Sequence, residues 1–366
     1  MPVEYFPLPG TPVEELDTPA LIVDMDVAEA NIRTLQANAD RMGTTVRPHV
    51  KTHKSPFWAL KQIEAGAVGV CAAKVGEAEA MIEGGVKDVL IANEIVGDDK
   101  IARLMSVAAR AKLRVAVDNP DNVAALSRAA TRRGVELGVL VDLNVRLNRC
   151  GVEPGEPASS LARQVSDSPG LRFDGVMGYE GHIPPGQDGK GGSEMTQFLA
   201  KLERGIESVE KAGLPVGVVS GGGTCTYRTT GAHLRVTELQ CGTYIFNDGA
   251  YREESPEFKN ALYVLSRVVS KAADDRAVID IGLKSVSVDS GLPLVVDMPG
   301  AKLERLSEEH GNLALEDGAR SLRLNDRVRL LPMHGDTTIN IHSHYFCIRN
   351  GVLEAVVPIT ARGMFR

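Results

Sequence analysis

The sequence predicts a parallel (β/α)8 barrel followed by a mostly antiparallel β-domain, and three observations carry that prediction. From about residue 44 to 245, short apolar runs alternate eight times with longer amphipathic ones. The apolar runs are continuous, with no polar residue at every second position, as strands buried on both faces require. After Tyr251 the texture changes to short β-rich runs punctuated by Gly, Pro and Asn-Gly, with no helical period of useful length between them.

Taken in order, Thr18 to Asp24 reads as a strand. Met25 to Asp40 reads as a helix, with apolar residues at Val27, Ala30, Ile32 and Leu35. The eight barrel strands are expected at Thr45 to Val50, Val68 to Ala72, Asp88 to Ala92, Arg114 to Val117, Leu137 to Leu143, Phe173 to Tyr179, Val216 to Ser220 and Leu239 to Tyr244. Between them lie helix-like segments at Pro56 to Ala65, Val75 to Glu83, Ile101 to Ala111, Pro120 to Arg133, Pro157 to Ser166 and Ser193 to Ala212. An open doubly wound sheet is the structural rival, but eight near-regular units favour closure. Further strands are expected at Val264 to Val269, Arg276 to Ile281, Ser285 to Val288, Arg327 to Leu331, His344 to Ile348 and Val352 to Val357. The expected organisation is a segment 1–24 joining the β-domain, a barrel at 25–252 and a β-domain at 253–366.

The net charge of -7, with no Lys/Arg block, argues against nucleic acid as a partner. Five scattered cysteines, an odd number, argue against a disulfide framework and for a reducing compartment. No basic-then-apolar leader opens the chain, and nowhere do about eighteen apolar residues run together, so the expectation is a cytoplasmic protein without a membrane partner.

In a barrel of this kind the chemistry sits where the strands end at their C-terminal side. The first strand ends in Arg47-Pro48-His49-Val50-Lys51-Thr52-His53-Lys54. A lysine crowded by cations is pushed toward its neutral, nucleophilic form, which a Schiff base with a carbonyl cofactor needs. Ser220-Gly221-Gly222-Gly223-Thr224 follows the seventh strand, and Gly242-Thr243-Tyr244 follows the eighth. Adjacent glycines free backbone amides to converge on an anion, and these two loops of the barrel commonly hold a phosphate. A phosphate at one end and a Schiff base at the other describe pyridoxal 5'-phosphate. Arg149, after strand five, supplies a permanent cation facing the cofactor. Tyr179-Glu180-Gly181-His182 ends strand six, so that Tyr179 or His182 can reach cofactor or substrate, with His182 a candidate general base. In the β-domain, His334 and Asp336 stand two apart directly after an apolar run. On an extended segment they project to one side and can share a divalent ion, Mn²⁺ or Mg²⁺ suiting one nitrogen and one oxygen ligand better than a closed zinc site.

Together these residues resemble the D-threonine aldolase family of fold-type III pyridoxal phosphate enzymes, relatives of D-serine dehydratases, 3-hydroxy-D-aspartate aldolases and, more remotely, alanine racemases. The resemblance covers nearly the whole chain. It rests on Asp17-Thr18-Pro19-Ala20, the Arg47 to Lys54 stretch, Ser220 to Thr224, Glu238 to Tyr244, Val288 to Pro293 and His334-Gly335-Asp336. It implies a barrel of the alanine-racemase type, a Schiff base on Lys51 with Lys54 as neighbour, and Arg149 beside the cofactor ring. His49, Tyr179, Ser220, Gly222, Gly223, Thr224, Gly242, Thr243 and Tyr244 complete the expected cofactor site. His334-x-Asp336 is similar to the aldolases, whereas the dehydratase branch carries a cysteine at the second ligand position. The implied activity is cleavage of D-3-hydroxy-amino acids, D-threonine or D-allo-threonine by default, to glycine and an aldehyde. A homodimer and a metal, Mn²⁺ before Mg²⁺, are implied with it. The rivals are D-serine or D-3-hydroxyaspartate dehydratase and 3-hydroxy-D-aspartate aldolase. His182, Lys51 and the metal's water remain open as the base.

Overall fold

The computed structural model describes residues 6–183 and 192–366. The chain forms two compact units: one takes in the chain up to Thr34 with Thr52–Lys54 and Thr243–Gly363, the other Leu35–Lys51, Ser55–Gly242 and Met364–Arg366. The chain begins with strand β1 (Ala20–Asp24) and helix α1 (Met25–Met42).

The barrel unit runs β2 (Thr45–Val46), α2 (Pro56–Glu64), β3 (Val70–Ala72), α3 (Val75–Glu83), β4 (Asp88–Glu94), α4 (Asp98–Ala108), β5 (Lys112–Val117), α5 (Pro120–Arg133), β6 (Leu137–Asp142), α6 (Glu156–Asp167), β7 (Leu171–Met177), α7 (Ser193–Lys211), β8 (Val218–Gly221), α8 (Tyr227–Gly231) and β9 (Glu238–Leu239). Its strands lie in the order β2-β9-β8-β7-β6-β5-β4-β3. Hydrogen bonds from Val68 N to Val46 O (2.9 Å), Cys71 N to Pro48 O (2.8 Å) and Val50 N to Cys71 O (2.8 Å) join the two end strands and close the ring. Local chemistry sets the helix limits. At α5, the Asn119 side chain accepts the Asp121 amide at 2.8 Å, Pro120 occupies the first turn, and Gly134 leaves the helix at φ +71°.

Inside the ring, Cys71, Leu90, Ala116, Leu140 and Met177 form one buried cluster drawn from consecutive strands. At the N-terminal ends of the strands the filling is ionic. Arg47 is 3% exposed and donates to Glu238 (2.8 Å) and Asp88 (2.7 Å), and Arg114 donates to Asp88 (3.2 Å) and Asp174 (2.7 Å). Burial opposes the charge on Arg47, but Glu238 and Asp88 outweigh it and raise its pKa. Asp88 is likewise opposed by burial and held below the usual carboxylate range by Arg47, Lys112 and Arg114.

The second unit contains β10 (Leu262–Ala273), β11 (Arg276–Ile279), β12 (Leu294–Val296), β13 (Ala301–Leu306), β14 (Gly311–Leu315), β15 (Arg327–Leu331), α9 (Gly335–Ile339), β16 (His344–Arg349) and β17 (Val352–Pro358). Its nine-stranded sheet has the path β13-β14-β11-β10-β1-β16-β17, with β15 joining β10 to β12. β1 lies antiparallel to β10 and parallel to β16. Leu16, Ala20, Ile22, Leu265 and Leu353 make a core on one face of this sheet. Burying such a side chain contributes roughly 1.5–3 kcal/mol. The strand expected at Ser285 to Val288 is instead a turn: the Ser285 and Val286 amides both donate to Gly282 O, which removes them from any ladder. No helix among the described residues is long and apolar enough to cross a membrane.

Candidate active site

The barrel rim gathers most of the expected cofactor residues. Beyond β2, the backbone of His49 pairs with Cys71, and the Lys51 amide donates to His49 Nδ1 at 3.3 Å. The two side chains are thus set by one short turn. Lys51 Nζ lies 6.0 Å from the centroid of the Tyr179 ring, and the Arg149 guanidinium lies 5.5 Å from it. Two cations therefore stand within cation–π distance of one aromatic ring. Just beyond Tyr179, both ring nitrogens of His182 are buried without a hydrogen-bond partner among the described residues. Its Nε2 stands 3.9 Å from Glu194 Oε2.

Within β8, Ser220 is buried and its hydroxyl accepts from Gln240 Nε2 at 2.8 Å. Gly222 has φ +84°, and a Cβ there would stand 2.6 Å from Leu239 Cδ2, so only glycine makes this reversal. A Cβ on Gly223 would stand 3.5 Å from the Tyr179 ring. The Gly222 amide donates to Glu180 Oε2 at 3.1 Å and the Gly223 amide to Thr226 Oγ1 at 2.9 Å. These two amides, expected to face an anion, are thus engaged within the protein. Thr224 is buried and Gly242 half-buried.

On the same rim, Glu94, Asp118 and Cys150 bring their potential ligand atoms within 4.8 Å of one another, and Asp142 lies beside Glu94. Burial first, then the charge of Glu94, pushes the Asp142 carboxyl well up. Burial and the hydrogen bond with Glu94 push the Cys150 thiol to about 11, so without a metal it stays protonated at neutral pH. Sequence reading missed Glu94, Asp118 and Cys150; their signal was position, at the end of β4, just past β5 and beside Arg149.

The β-unit holds the remaining candidates. Thr243 and Tyr244 open a tight turn whose Thr243 carbonyl accepts the Asn247 amide at 2.8 Å. Tyr244 is 1% exposed, with its ring 5.6 Å from that of Phe258. The extended geometry expected for His334 and Asp336 is not found. His334 caps α9 with extended backbone, and Asp336 lies inside the helix, because Gly335 begins a turn closed by the Asn340 amide on Asp336 O.

Three carboxylates nevertheless surround His334. Its Nδ1 is 2.6 Å from Asp289 Oδ2, which leaves Nε2 as the ring's ligand atom. Burial alone would lower the imidazole pKa, but Asp289, Asp336 and Asp248 raise it above its ordinary value. Asp289 is opposed by slight burial, yet hydrogen bonds with His334, Ser287 and Thr337 hold it down at about 2. Asp248 accepts the Gly335 amide at 2.8 Å and is lifted to about 6, first by burial, then against that amide by the charge of Asp336. Asp336 Oδ2 accepts from the Thr52 hydroxyl at 3.2 Å. The second oxygens of Asp336 and Asp248 are buried with no partner among the described residues. The orphaned oxygens and the imidazole turned by Asp289 are donors of the kind a hard divalent cation takes, but no three ligand atoms of these residues lie within 4.8 Å of one another. Asp248 and Asp289 were not singled out from sequence. Asp289 sits in the Val288 to Pro293 motif, which was the available signal.

The family model for the alanine racemase N-terminal domain matches residues 23–249, and that for a putative serine dehydratase domain matches 261–348. The chain is 38% identical to a D-threonine aldolase of an Arthrobacter species over 98% of this chain and 96% of that protein. It is 40% identical to a 3-hydroxy-D-aspartate aldolase of Paracoccus denitrificans, over 97% and 95% respectively. The chain belongs to the D-threonine aldolase family. It is a lyase of the pyridoxal phosphate fold-type III group. The crystal structure of a D-threonine aldolase from Filomicrobium marinum superposes with a TM-score of 0.95 at 36% identity, covering 98% of this chain and all of that one. Of the rim's groups, the Tyr179 ring with Lys51 and Arg149 near it is of a kind that suits a phosphorylated aromatic ring, whereas the Gly222 and Gly223 amides are taken up by Glu180 and Thr226.

Proposed function

We propose that this protein is a pyridoxal phosphate- and divalent-metal-dependent aldolase that cleaves D-3-hydroxy-amino acids to glycine and an aldehyde. The observation that carries the reading is a His334 imidazole oriented by Asp289, two residues before Asp336, whose second carboxylate oxygen is buried without a partner among the described residues. When bound, the cofactor supplies the electron sink for the charge left at Cα, and the metal polarises the β-hydroxyl. Lys51 would hold the cofactor through its ε-amine. Tyr179 would offer the bound cofactor an aromatic surface, and Arg149 would supply a cation to it. The β-hydroxyl proton goes to a nitrogen base, Lys51 Nζ or His182. The hydrogen-bond-poor burial of the His182 ring supports it as a group free to accept. His334 Nε2 and the free oxygen of Asp336 hold the metal, with Asp289 fixing the imidazole.

D-Threonine and D-allo-threonine are the first substrates to expect. A second reading, 3-hydroxy-D-aspartate as substrate, is supported by the 40% identity to enzymes of that name. Dehydration is disfavoured by the oxygen ligand at Asp336, a harder donor than the thiolate that zinc prefers. Purified protein incubated with D-threonine, D-3-hydroxyaspartate and D-serine, with and without Mn²⁺, decides among them. Acetaldehyde or glyoxylate appearing with equimolar glycine supports an aldolase, and the aldehyde names the substrate. A keto acid with ammonia and no glycine would refute the proposal.

A further inference from the structure

Tyr179 and Glu180 are neighbours with opposite surroundings. The Tyr179 ring is half-buried between two cations, whereas Glu180 is 1% exposed. Glu180 Oε2 accepts the Gly222 amide at 3.1 Å, Oε1 accepts the Thr230 hydroxyl, and the Thr226 hydroxyl is a further donor. Burial pushes this carboxyl up, and only neutral hydroxyls and amides pull it back. A buried carboxylate without a cation is costly, and a Gln of the same shape would avoid most of that cost.

What the carboxylate joins is informative. Gly222 sits at φ +84° in the reversal after β8, and Thr230 sits in α8, so Glu180 ties both ends of the turn that includes Gly223 and Thr224. Thr226, on the same carboxylate, also receives the Gly223 amide at 2.9 Å. Glu180, Thr226 and Thr230 thus hold the turn from its buried side. Gly223 is left against the Tyr179 ring, where a Cβ would stand 3.5 Å from the ring carbons.

We propose that Glu180 is a positioning residue for the cofactor's phosphate: it fixes the 222–230 turn from beneath and makes no contact with the phosphate. This rests on the reading that the turn binds the phosphate of pyridoxal phosphate. The test is binding of pyridoxal phosphate and of phosphate-free pyridoxal to cofactor-stripped protein, by absorbance titration, with inorganic phosphate as competitor. Glu180→Ala releases the Gly222 amide and two hydroxyls, and should weaken pyridoxal phosphate about tenfold or more while changing pyridoxal less than about twofold. Glu180→Gln keeps an acceptor for the Gly222 amide and an amine for a threonine oxygen, and should stay within about threefold of the parent. Thr230→Val removes one anchor, should show an intermediate loss confined to the phosphorylated ligand, and serves if Glu180→Ala does not fold.

Equal losses for both ligands in Glu180→Ala or Thr230→Val would overturn the proposal, as would a Glu180→Gln as weak as Glu180→Ala, since charge and not shape would then be at work. The underlying reading fails separately. If the parent binds both ligands alike, if phosphate does not compete, or if Gly223→Val spares the preference for the phosphorylated ligand, the turn is not the phosphate site whatever Glu180 does.

Discussion

Replacing Arg47 by Met tests whether the floor of the barrel is held by its ion network. Arg47 is 3% exposed, and its Nε supplies the hydrogen bond to Glu238 Oε2, whose companion Oε1 is already buried without a partner among the described residues. Removing the guanidinium strands Glu238 as an uncompensated buried charge. Asp88 suffers less, because Lys112 at 2.9 Å and Arg114 at 3.2 Å remain on it. Breaking a buried pair from one side costs about 3–5 kcal/mol, while replacing both partners with apolar groups is often close to neutral. At about 2–4 °C per kcal/mol for a unit of this size, Arg47→Met should lower the melting temperature by roughly 6–20 °C. Arg47→Met with Glu238→Met should recover about 2 kcal/mol or more of that loss. The measurement is urea unfolding of the cofactor-free protein followed by far-UV circular dichroism. A single variant losing less than about 1 kcal/mol, or a double variant no better than the single, would show that water or rearrangement solvates Glu238 and that the network is not what holds these strand ends.

Lys51→Ala should abolish both the visible absorbance of bound cofactor and the activity; borohydride fixation surviving in that variant would move the attachment to Lys54. Asp289→Asn removes the carboxylate on His334 Nδ1, 2.6 Å away, and should weaken Mn²⁺ binding about 10–100-fold by titration with electron paramagnetic resonance. Unchanged affinity would remove Asp289 from the metal's support. His342 is half-buried, its Nε2 donates to Ser285 O at 2.7 Å, and desolvation lowers its pKa. Since the unfolded chain then binds the extra proton below its pKa of about 6.5, the contribution is complete above that pH and is lost as pH falls toward the folded value. The urea midpoint should therefore drop more between about pH 7.5 and 5.5 in the parent than in His342→Gln, and equal drops would refute this assignment.

The barrel was legible because its signals are local. Continuous apolar runs gave all eight strands, and Pro120 with Gly134 or the Gly84 after Glu83 bounded α5 and α3 to the residue. β12 to β14 were not legible, since Ala301–Leu306 carries Lys302, Glu304 and Arg305 and looks like solvated loop until it pairs with Gly311–Leu315. Rim residues could be located by strand ends alone, which found Lys51, Arg149 and Tyr179. The groups that set those residues' surroundings could not be found that way. Glu180 acts through Gly222 and Thr230, 42 and 50 positions away, and Asp289 acts through His334, 45 positions away. Contacts at such separations leave no periodicity to read.

The placement of β1 bears on how the chain is made. Its Leu21 and Val23 are fully buried, yet its two neighbours in the sheet are strands beginning at Leu262 and His344. At about 5–20 residues per second, a ribosome that has finished Asp24 needs roughly 15–65 s more to reach Ile348, the residue that pairs with it. Both edges of this apolar strand stay unsatisfied until Leu262–Leu265 is made, and the edge that takes β16 stays open until the end of that interval, the kind of segment that recruits foreign strands. Synthesis, more than the finished molecule, is where this protein is vulnerable to aggregation, and a chain stalled before β16 should leave β1 open to protease while one carried through Pro358 should not.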